Sequence, residues 1–461
     1  MRAPRLLAVL ALTVVAILFT GAARRRAVRP PVATILDLRR SFAITDQSIL
    51  AGFSFERVLR ALTDRSGTRT TPSALIRQLF DTQNPKPGVA VANAPHCDDF
   101  LLDGQPSFNG FPRRCPTPEG AFAKDDPFAG DGYLPIGIFN RFDLTPPDGA
   151  NCGQYRIIFA RLFRPGVTDR VHLIFEGVLP NPAPQSGLSG CRAVAEFWAS
   201  LSTIDSVSER RAQLEQFFFT GLPGFEPAFD PSHYTFASGG GIRTMQHTPS
   251  SRVRNRFYQF RLAARCDAGD CTLVAEPDVL ENVPFGRFFD GRDTSPIARE
   301  FRDEFVRQVG SLAIADVNLY SMNLPRRFLI AESDPTDAEP VGIPVINFLN
   351  GSDSPDGAEF SGRITAELRR IGSPISPMDV ITRAETQGCV ICHAGAGPIG
   401  GGLQFPNALT FQQHVDEAFV EPGDGGSRFR ISSAMTDVFI PHRMAILRAF
   451  LETGAAPVHS N

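Results

Sequence analysis

Strand patterns alternate with helical patterns along the first two thirds of the chain. Residues 155–163 and 171–179 are β-branched and aromatic runs bounded by proline and glycine, which is typical of strands. Residues 256–264 and 272–275 flank the turn sequence Asp-Ala-Gly-Asp at 267–270, so they predict a β-hairpin. Hairpins that stand beside separate helices predict the α+β fold class.

Two helices in this part have clear start signals. Ser206 and Glu209 have the spacing of a capping box, and Gly221 follows the end of that pattern. Ser295-Pro296 opens a second helix in which apolar residues recur along one stripe. We interpret the stripe as core packing rather than as the wall of a cofactor site. Its members are Ile297, Phe301, Phe305, Val309 and Leu312.

The pattern changes after residue 331. Residues 331–358 are rich in Asp, Pro, Gly and Ser around one short apolar run at 344–349, which predicts a strand and a domain boundary. The chain then becomes mostly helical, with helices predicted over 376–388, 410–419 and 441–453. The expected segments are a signal peptide at 1–23, a large disulfide-containing α+β domain at 24–350 and a mostly helical module at 351–461.

The composition narrows the choice of partners. The 461 residues carry a formal net charge of −3, and no basic block follows residue 30, which argues against nucleic-acid binding. The 38 phenylalanines, against 5 tyrosines and 1 tryptophan, predict a phenylalanine-rich interior.

The first 23 residues have the features of an export signal. Arg2 and Arg5 precede an apolar run at 6–19, and small residues at 21–23 offer a cleavage site. The arginines at positions 24–29 disfavour cleavage, so an uncleaved membrane anchor is the alternative. No later apolar run is long enough to span a bilayer. We therefore expect a periplasmic or secreted protein.

Cysteine usage also indicates an oxidising compartment. Six of the 8 cysteines remain when the C-x-x-C pair near the carboxyl end is set aside, and an even number favours disulfides. A bridge across the predicted hairpin is the clearest, and the other pairs are the simplest that remain, with the connectivity left open by sequence alone. The expected bridges are Cys266–Cys271, Cys97–Cys115 and Cys152–Cys191.

One short string carries a specific chemistry. Residues 389–393 read Cys-Val-Ile-Cys-His, the C-x-x-C-H string to which haem c is attached, and it occurs once. Two cysteines at this spacing after a helix present both thiols on one side, so each can form a thioether with one haem vinyl group. The adjacent histidine can give the iron an imidazole ligand. The string predicts one covalent haem c held by Cys389 and Cys392, with His393 on the iron.

A helix that leads into this string, followed by loops and a closing helix, resembles the plan of small c-type cytochromes. The resemblance implies electron transfer, with His393 as the proximal ligand. Such cytochromes usually place a methionine on the other axial position, and the candidates are Met435, before the last helix, and Met444, within it. For the second axial ligand we favour His414, which lies on a predicted helical face shared with apolar residues. Met435 has no distinctive surroundings in the sequence. An open sixth position is a further alternative.

Other strings resemble uncharacterised exported proteins of bacteria, among them Asn140-Arg-Phe-Asp-Leu and Phe197-Trp-Ala-Ser-Leu-Ser. This resemblance implies that the N-terminal part and the haem module belong together, and it brings no activity with it.

Three functions are compatible with these patterns. The expected one is electron transfer by a single-haem protein whose N-terminal domain binds an unknown redox partner or a substrate. The second is an extracellular binding or structural protein in which Cys389–Cys392 is only a disulfide. The third is a haem-linked oxidoreductase, although the chain has no G-x-S-x-G, Walker or H-E-x-x-H motif. A zinc site at the string would need a fourth ligand, for which His414 is the candidate.

Overall fold

The computed structural model describes residues 34–89, 94–129, 132–161, 170–248, 254–267, 269–332, 344–387, 399–401 and 415–456. The predicted export signal lies outside these ranges. The strands are β1 (Ala43–Ile44), β2 (Leu101–Leu102), β3 (Gln105–Phe108), β4 (Phe111–Pro112), β5 (Tyr133–Arg141), β6 (Asn151–Arg161), β7 (Arg170–Pro180), β8 (Gly241–Thr248), β9 (Arg254–Asp267), β10 (Asp270–Asp278), β11 (Val415–Gly423) and β12 (Gly426–Ile431). The α-helices are α1 (Leu38–Ser41), α2 (Gln47–Leu50), α3 (Phe55–Arg65), α4 (Pro72–Asp81), α5 (Arg192–Ser200), α6 (Val207–Glu215), α7 (Pro296–Leu312), α8 (Pro344–Asn350), α9 (Pro355–Arg370), α10 (Pro377–Glu385) and α11 (Ile440–Thr453).

A seven-stranded antiparallel sheet forms the centre of the fold, in the order β1-β5-β6-β7-β8-β9-β10. From β5 onward each strand pairs with the next one along the chain, so the sheet is built from sequential antiparallel pairs. β6 and β7 confirm the two strands predicted from the aromatic runs. β9 and β10 confirm the predicted hairpin. The mixture of this sheet with separate helices confirms the α+β class.

The two faces of the sheet have opposite character because side chains alternate along each strand. On β7, Leu173 and Phe175 are fully buried on one side, which we call the apolar face. His172 and Glu176 lie on the other side, which we call the polar face. The neighbouring strands continue both faces, since they pair with β7 in register.

The apolar face carries the first hydrophobic core, which is rich in aromatic rings. Tyr155 of β6 stacks on Trp198 of α5, with 5.4 Å between the ring centroids. Phe217 meets both rings edge-on, at 4.9 and 5.4 Å. Each of these side chains is buried. The predicted phenylalanine-rich interior is therefore confirmed.

A second hydrophobic core is formed mostly by residues after β10 and contains α7, α9 and α10. Phe301 and Phe305 of α7 are fully buried there, and Phe305 meets Phe360 of α9 at 5.8 Å between the ring centroids. Ser295 caps α7 through its side chain, as its sequence predicts. The apolar stripe of α7 is thus a core face, although Ile297 in the first turn stays exposed.

Two predicted elements are wrong. Residues 344–349, expected as a strand, form most of α8, which begins at Pro344. Proline suits the first turn of a helix, where its missing N–H is not needed, and it cannot donate to a sheet. Residues 415–419, expected as the end of a helix, belong to β11, which pairs with β12 across a turn at 423–426. Glycines in that turn supply the backbone freedom that a hairpin requires.

The packing does not follow the boundary expected near residue 350. Phe348 and Phe360 lie on either side of that boundary, and their ring centroids are 5.9 Å apart in the second core. Farther along, Phe429 of β12 and Phe450 of α11 belong to the first core. The segment after residue 350 therefore contributes to both cores, and the chain from Thr34 onward forms one compact unit.

All three expected disulfides are present. Cys266 and Cys271 lie directly opposite each other on β9 and β10, so their bridge closes the hairpin. The other two bridges are Cys97–Cys115 and Cys152–Cys191, and the second of these is buried in the first core, where it joins β6 to the segment before α5.

Candidate functional site

The predicted haem site belongs to a segment whose two ends the structure describes. Cys389, Cys392, His393 and His414 lie outside the described residues. The chain is described as far as Gln387, again over residues 399–401, which we call the return loop, and then from β11 onward. The groups that hold these ends are the described part of the site.

α10 delivers the chain to the C-x-x-C-H string. The Ser376 hydroxyl accepts from the Asp379 amide, and the Asp379 carboxylate accepts from the Ser376 amide, so the capping box is complete. Val380 and Ile381 anchor the helix in the second core. The helix start predicted at Ser376 is confirmed, and α10 ends at Glu385, shortly before Cys389.

Arg383 fastens the return loop to α10. Its side chain is 1% exposed, and it donates to the carbonyl oxygens of Ile399 (Nε, 2.7 Å) and Gly400 (Nη2, 3.0 Å). Its Nη1 donates to the carbonyl oxygens of Leu312 and Ile314, at 3.0 and 2.9 Å, near the end of α7. Carbonyl oxygens alone satisfy these buried donors. One side chain therefore holds both ends of the segment that contains the string.

The return loop rests on an apolar surface. Ile399 is 1% exposed and packs with Tyr320, whose ring centroid lies 5.1 Å from the central carbon of the Arg383 guanidinium. Phe439, at the end of the π-helix Ala434–Phe439, packs against the same pair. A cofactor with a large apolar ring needs apolar walls and a rigid approach of this kind. The return loop is therefore fixed over a buried apolar cluster.

A carboxyl group with an altered pKa lies at the end of α10. Burial raises the pKa of Glu385 to about 7. No cation among the described residues opposes the effect of burial on this group. Glu385 therefore takes up a proton near neutral pH, because a carboxylate buried without a cation is disfavoured in its charged form.

Two of the predicted axial candidates lie on the helical segment that follows β12. Met435 is 2% exposed and belongs to the first core, and Met444 is half-buried against that core. Phe439, which packs on Ile399 and Tyr320, lies between them in sequence. Met435 thus has apolar surroundings that its sequence neighbours did not indicate.

His442 is a further candidate that sequence reasoning missed. It lies on α11, within one turn of Phe439, and it is half-buried. Its Nε2 is enclosed and has no hydrogen-bond partner among the described residues. An imidazole nitrogen without such a partner can serve as a metal ligand. The sequence around His442 shows only an ordinary amphipathic pattern, so no sequence signal separates it from the other histidines.

The chain matches no protein-family model, no curated protein and no solved structure. In the described ranges, no group of three or more His, Cys, Asp or Glu could hold a metal ion. No helix in that part of the chain is both long and apolar enough to cross a membrane. The function is therefore argued from the string and from the groups around it.

The polar face of the sheet carries a glutamate between two arginines. Arg156 of β6 lies directly opposite Glu176 of β7, with 3.0 Å from its Nε to Oε1. Arg243 of β8 approaches the other carboxylate oxygen, also at 3.0 Å. Glu176 is 3% exposed, so the carboxylate is held almost entirely by these two guanidinium groups.

A second carboxylate lies beside the first. Arg141 of β5 donates to Asp143 through both Nε and Nη2, at 3.0 and 2.8 Å. Arg443 of α11 reaches the same carboxylate, with 3.8 Å from its Nε to Oδ2. We call the four arginines around Asp143 and Glu176 the arginine cluster. Its members are Arg141, Arg156, Arg243 and Arg443.

Burial and neighbouring charges shift pKa values within the arginine cluster. Burial lowers the pKa of Arg156 to about 10. The charge of Glu176 acts to raise this pKa, and the charges of Arg141 and Arg243 lower it further. Burial by itself would raise the pKa of Glu176, but the arginines outweigh it and hold that pKa below its ordinary value. The four arginines and the carboxylates of Asp143 and Glu176 therefore form one network of neighbouring charges.

A second group of charges adjoins the arginine cluster. Arg261 pairs with Asp278 at 2.6 Å and with Glu281 at 3.1 Å, and Arg326 also binds Asp278. Glu281 also lies 3.6 Å from Nη2 of Arg243, so the two groups are continuous along the polar face. Sequence reasoning missed the whole face, although single charged residues within otherwise apolar strands were the available signal.

Proposed function

We propose that this chain is an exported c-type protein that carries electrons on a single haem. Haem c would be attached through Cys389 and Cys392, and His393 would supply one iron ligand. The C-x-x-C-H string carries the proposal, because it follows α10 directly and precedes a return loop that Arg383 fastens. The bound cofactor supplies one-electron transfer.

The residues of this chain would position the cofactor and set its properties. Arg383 keeps the approach helix and the return loop together, and Ile399, Tyr320 and Phe439 would exclude water from one side. Exclusion of water and the identity of the sixth ligand tune a haem potential. A methionine would raise the potential, and a second histidine would lower it. The candidates are His414, Met435, Met444 and His442.

The proposal extends to the location and the partners. The three disulfides persist in oxidising compartments, where haem c is also attached, so we propose the periplasm or the cell exterior. The partner would be another redox protein, and membrane association would require the N-terminal segment to stay uncleaved. Residues 351–461 would act as the cytochrome c-like, haem-bearing part, and the N-terminal part would present the partner- or substrate-binding surface.

The intact mass of the mature protein tests the proposal. Expressed with its export signal in a bacterial host that matures c-type cytochromes, the protein should be red and should keep its haem in denaturing electrophoresis. Its mass should equal the processed polypeptide with three disulfides and one haem, since a thioether-linked haem survives denaturation.

The double variant Cys389→Ala/Cys392→Ala is the matched control. It should be colourless and should keep the three disulfides, because those bridges lie elsewhere in the fold. Colourless wild-type protein with Cys389 paired to Cys392 would overturn the proposal. That result would favour the extracellular binding or structural protein.

A further inference from the structure

A small antiparallel sheet carries the longest run of exposed large apolar residues among those that the structure describes. Its order is β2-β3-β4, and we call residues 98–114, which contain it, the arm. Phe100, Leu101 and Leu102 follow one another in sequence and are 63%, 61% and 41% exposed. Successive side chains of a strand point to opposite faces, so both faces of the arm present apolar groups to water. Contiguous exposed apolar residues of this kind mark interaction surfaces.

The arm is held in one conformation. Each of its two turns has two central residues with positive φ, the geometry that matches the twist of paired strands. The Cys97–Cys115 bridge closes the segment that contains all three strands. Phe111 of β4 is buried in the second core, and Asn109 donates to two carbonyl oxygens of the segment 326–329, each at 2.8 Å. A surface that is ordered in advance loses little conformational entropy on binding.

β2 is an edge strand, and its outer side can accept another strand. The Ser107 amide donates to the carbonyl oxygen of Phe100 at 2.8 Å, so these two residues occupy a hydrogen-bonded position. Such positions alternate along an antiparallel ladder, and the N–H and C=O of Leu101, opposite Pro106, therefore point away from β3. No strand in the described ranges pairs with that side of β2. An open edge can add an extended segment of another chain through main-chain hydrogen bonds.

Carboxylates flank the apolar run on both sides. Asp98 and Asp99 precede it, and Asp103 follows it. Lys86 pairs with Asp99 at 2.8 Å, whereas Asp98 and Asp103 form no ion pair with the rest of the described chain. A symmetric pairing of two copies centred on Leu101 would place Asp103 opposite Asp99 of the other copy, and like charges in that position are destabilising. Anionic lipid headgroups would also repel these carboxylates. Basic residues on either side of an apolar run are complementary to this pattern.

We propose that β2 is a docking edge for an extended segment of a partner protein in which basic residues flank an apolar run. The main chain of Leu101 forms the added ladder, and the side chains of residues 100–102 contact the apolar run of the partner. Asp98 and Asp103 bind the flanking basic side chains and set the position of the segment along the edge. The inference goes beyond the proposed function and does not require the haem, because the arm and the C-x-x-C-H string are separate parts of the sequence.

The test measures binding of a labelled peptide, three valines between two pairs of arginines, to the mature full-length protein by fluorescence anisotropy. Leu101→Pro removes the outward N–H and leaves the hydrogen bonds between β2 and β3, so binding should weaken by at least about tenfold. Leu101→Ser removes only the exposed apolar side chain and should also weaken binding. Its matched control is Leu349→Ser, because Leu349 is a 53% exposed leucine on α8 and should leave binding unchanged.

The double variant Asp98→Asn/Asp103→Asn tests the charge complementarity. Asparagine has the shape of aspartate and tolerates the positive φ of position 103, so the turn should be kept. Binding of the arginine peptide should weaken by about tenfold, and a peptide with glutamates in place of the arginines should bind the wild type at least that much more weakly.

The proposal would be overturned by absence of binding, by equal affinity for the two peptides, or by unchanged binding to Leu101→Pro. Self-association of the wild type that Leu101→Pro abolishes would also overturn it and would make a second copy the occupant. Binding to vesicles of anionic lipid that Leu101→Pro abolishes would overturn it in favour of a membrane surface. Failure of the proposed function is a different observation, since it would appear as colourless protein whether or not the peptide binds.

Discussion

Two glutamates in different regions of the molecule have pKa values shifted in opposite directions. Glu176 lies on the polar face, where the arginines outweigh burial and hold its pKa below the ordinary value. Glu385 lies at the end of α10, where burial raises the pKa to about 7. Burial alone therefore does not decide whether a carboxyl group is charged. The sheet supplies fixed cations beside its glutamate, whereas no cation among the described residues offsets the burial of Glu385.

The arginines of these two regions differ in the same way. Those of the arginine cluster are ordered by carboxylates, so their environment changes when the carboxylates are protonated. Arg383 is ordered by carbonyl oxygens, which do not titrate. The polar face should therefore respond to acid, and the fastening of the return loop should not. Three substitutions test this contrast, each with its own expected size and pH dependence.

The largest loss of stability is expected for Arg383→Met. The substitution leaves buried carbonyl oxygens of the return loop and of the chain after α7 without their donor. Each lost partner costs about 1 kcal/mol, so the free energy of unfolding should fall by about 3–4 kcal/mol. Urea unfolding followed by circular dichroism measures this loss, and it should be the same at pH 5 and pH 8.

Arg370→Met is the control for this substitution, because Arg370 is 69% exposed on α9 and pairs only with Glu367 nearby in sequence. It should change the free energy of unfolding by less than about 0.5 kcal/mol. A similar small change for Arg383→Met would show that the return loop is not held by this side chain.

A smaller and pH-dependent loss is expected for Glu176→Gln. At pH 7 the variant leaves Arg156 and Arg243 without their shared carboxylate, and the cost should be about 2–3 kcal/mol because both arginines keep some contact with water. The folded-state pKa of Glu176 is lowered, so its stabilisation is present above the ordinary value of 4.5 and is lost as the pH falls through the folded pKa. Unfolding in urea at pH 7 and at pH 3 measures the difference.

Glu196→Gln provides the comparison for Glu176→Gln. Glu196 is 57% exposed and pairs with Arg192 on α5, so its loss should cost less than about 0.5 kcal/mol at either pH. If Glu176→Gln also lowered the free energy of unfolding by less than about 0.5 kcal/mol at pH 7, the polar face would not depend on this ion pair. The contrast between Glu176 and Glu385 would then not hold.

Short-range patterns predicted much of the fold, because the residues that decide those elements are close together in sequence. The alternation on β7 and the turn between Cys266 and Cys271 depend on a few neighbouring residues, so the strands and the bridge could be found directly. The helical spacing of apolar residues at 410–419 led to a wrong prediction, because the residues from 415 onward pair with β12 instead. Pairing with a distant strand is not visible in the spacing of apolar residues.

The surroundings of the candidate site were much less predictable. Arg383 is an ordinary helical residue in the sequence, and its acceptors lie near residues 312 and 399, which only the packing of α7 against α10 brings to it. The arginine cluster likewise joins strands β5, β6 and β8 to α11. The C-x-x-C-H string could be recognised because its chemistry is contained in five consecutive residues. The groups that support it come from separate parts of the chain.

The smallest effect, and the only stabilising one, is expected for Glu385→Gln. The folded-state pKa of Glu385 is raised from 4.5 to about 7, so the wild type loses stability as the pH rises through this interval and a charge is forced into a buried site. A fully sealed carboxyl group would lose roughly 3 kcal/mol, and the half-buried position reduces this to about 1–2 kcal/mol. Glutamine carries no charge, so the variant should be more stable at pH 8 and equal to the wild type at pH 4.

Glu359→Gln, on the exposed side of α9, is the control. Its stability relative to the wild type should be the same at pH 8 and at pH 4. If Glu385→Gln lowered the stability at pH 8, Glu385 would have to be charged and paired with a cation. The end of α10 would then resemble the polar face, and the contrast between the two regions would fail. A gain that develops between pH 4.5 and about 7 and stays constant above that would show instead that the approach to the string tolerates this carboxyl group only in its neutral form.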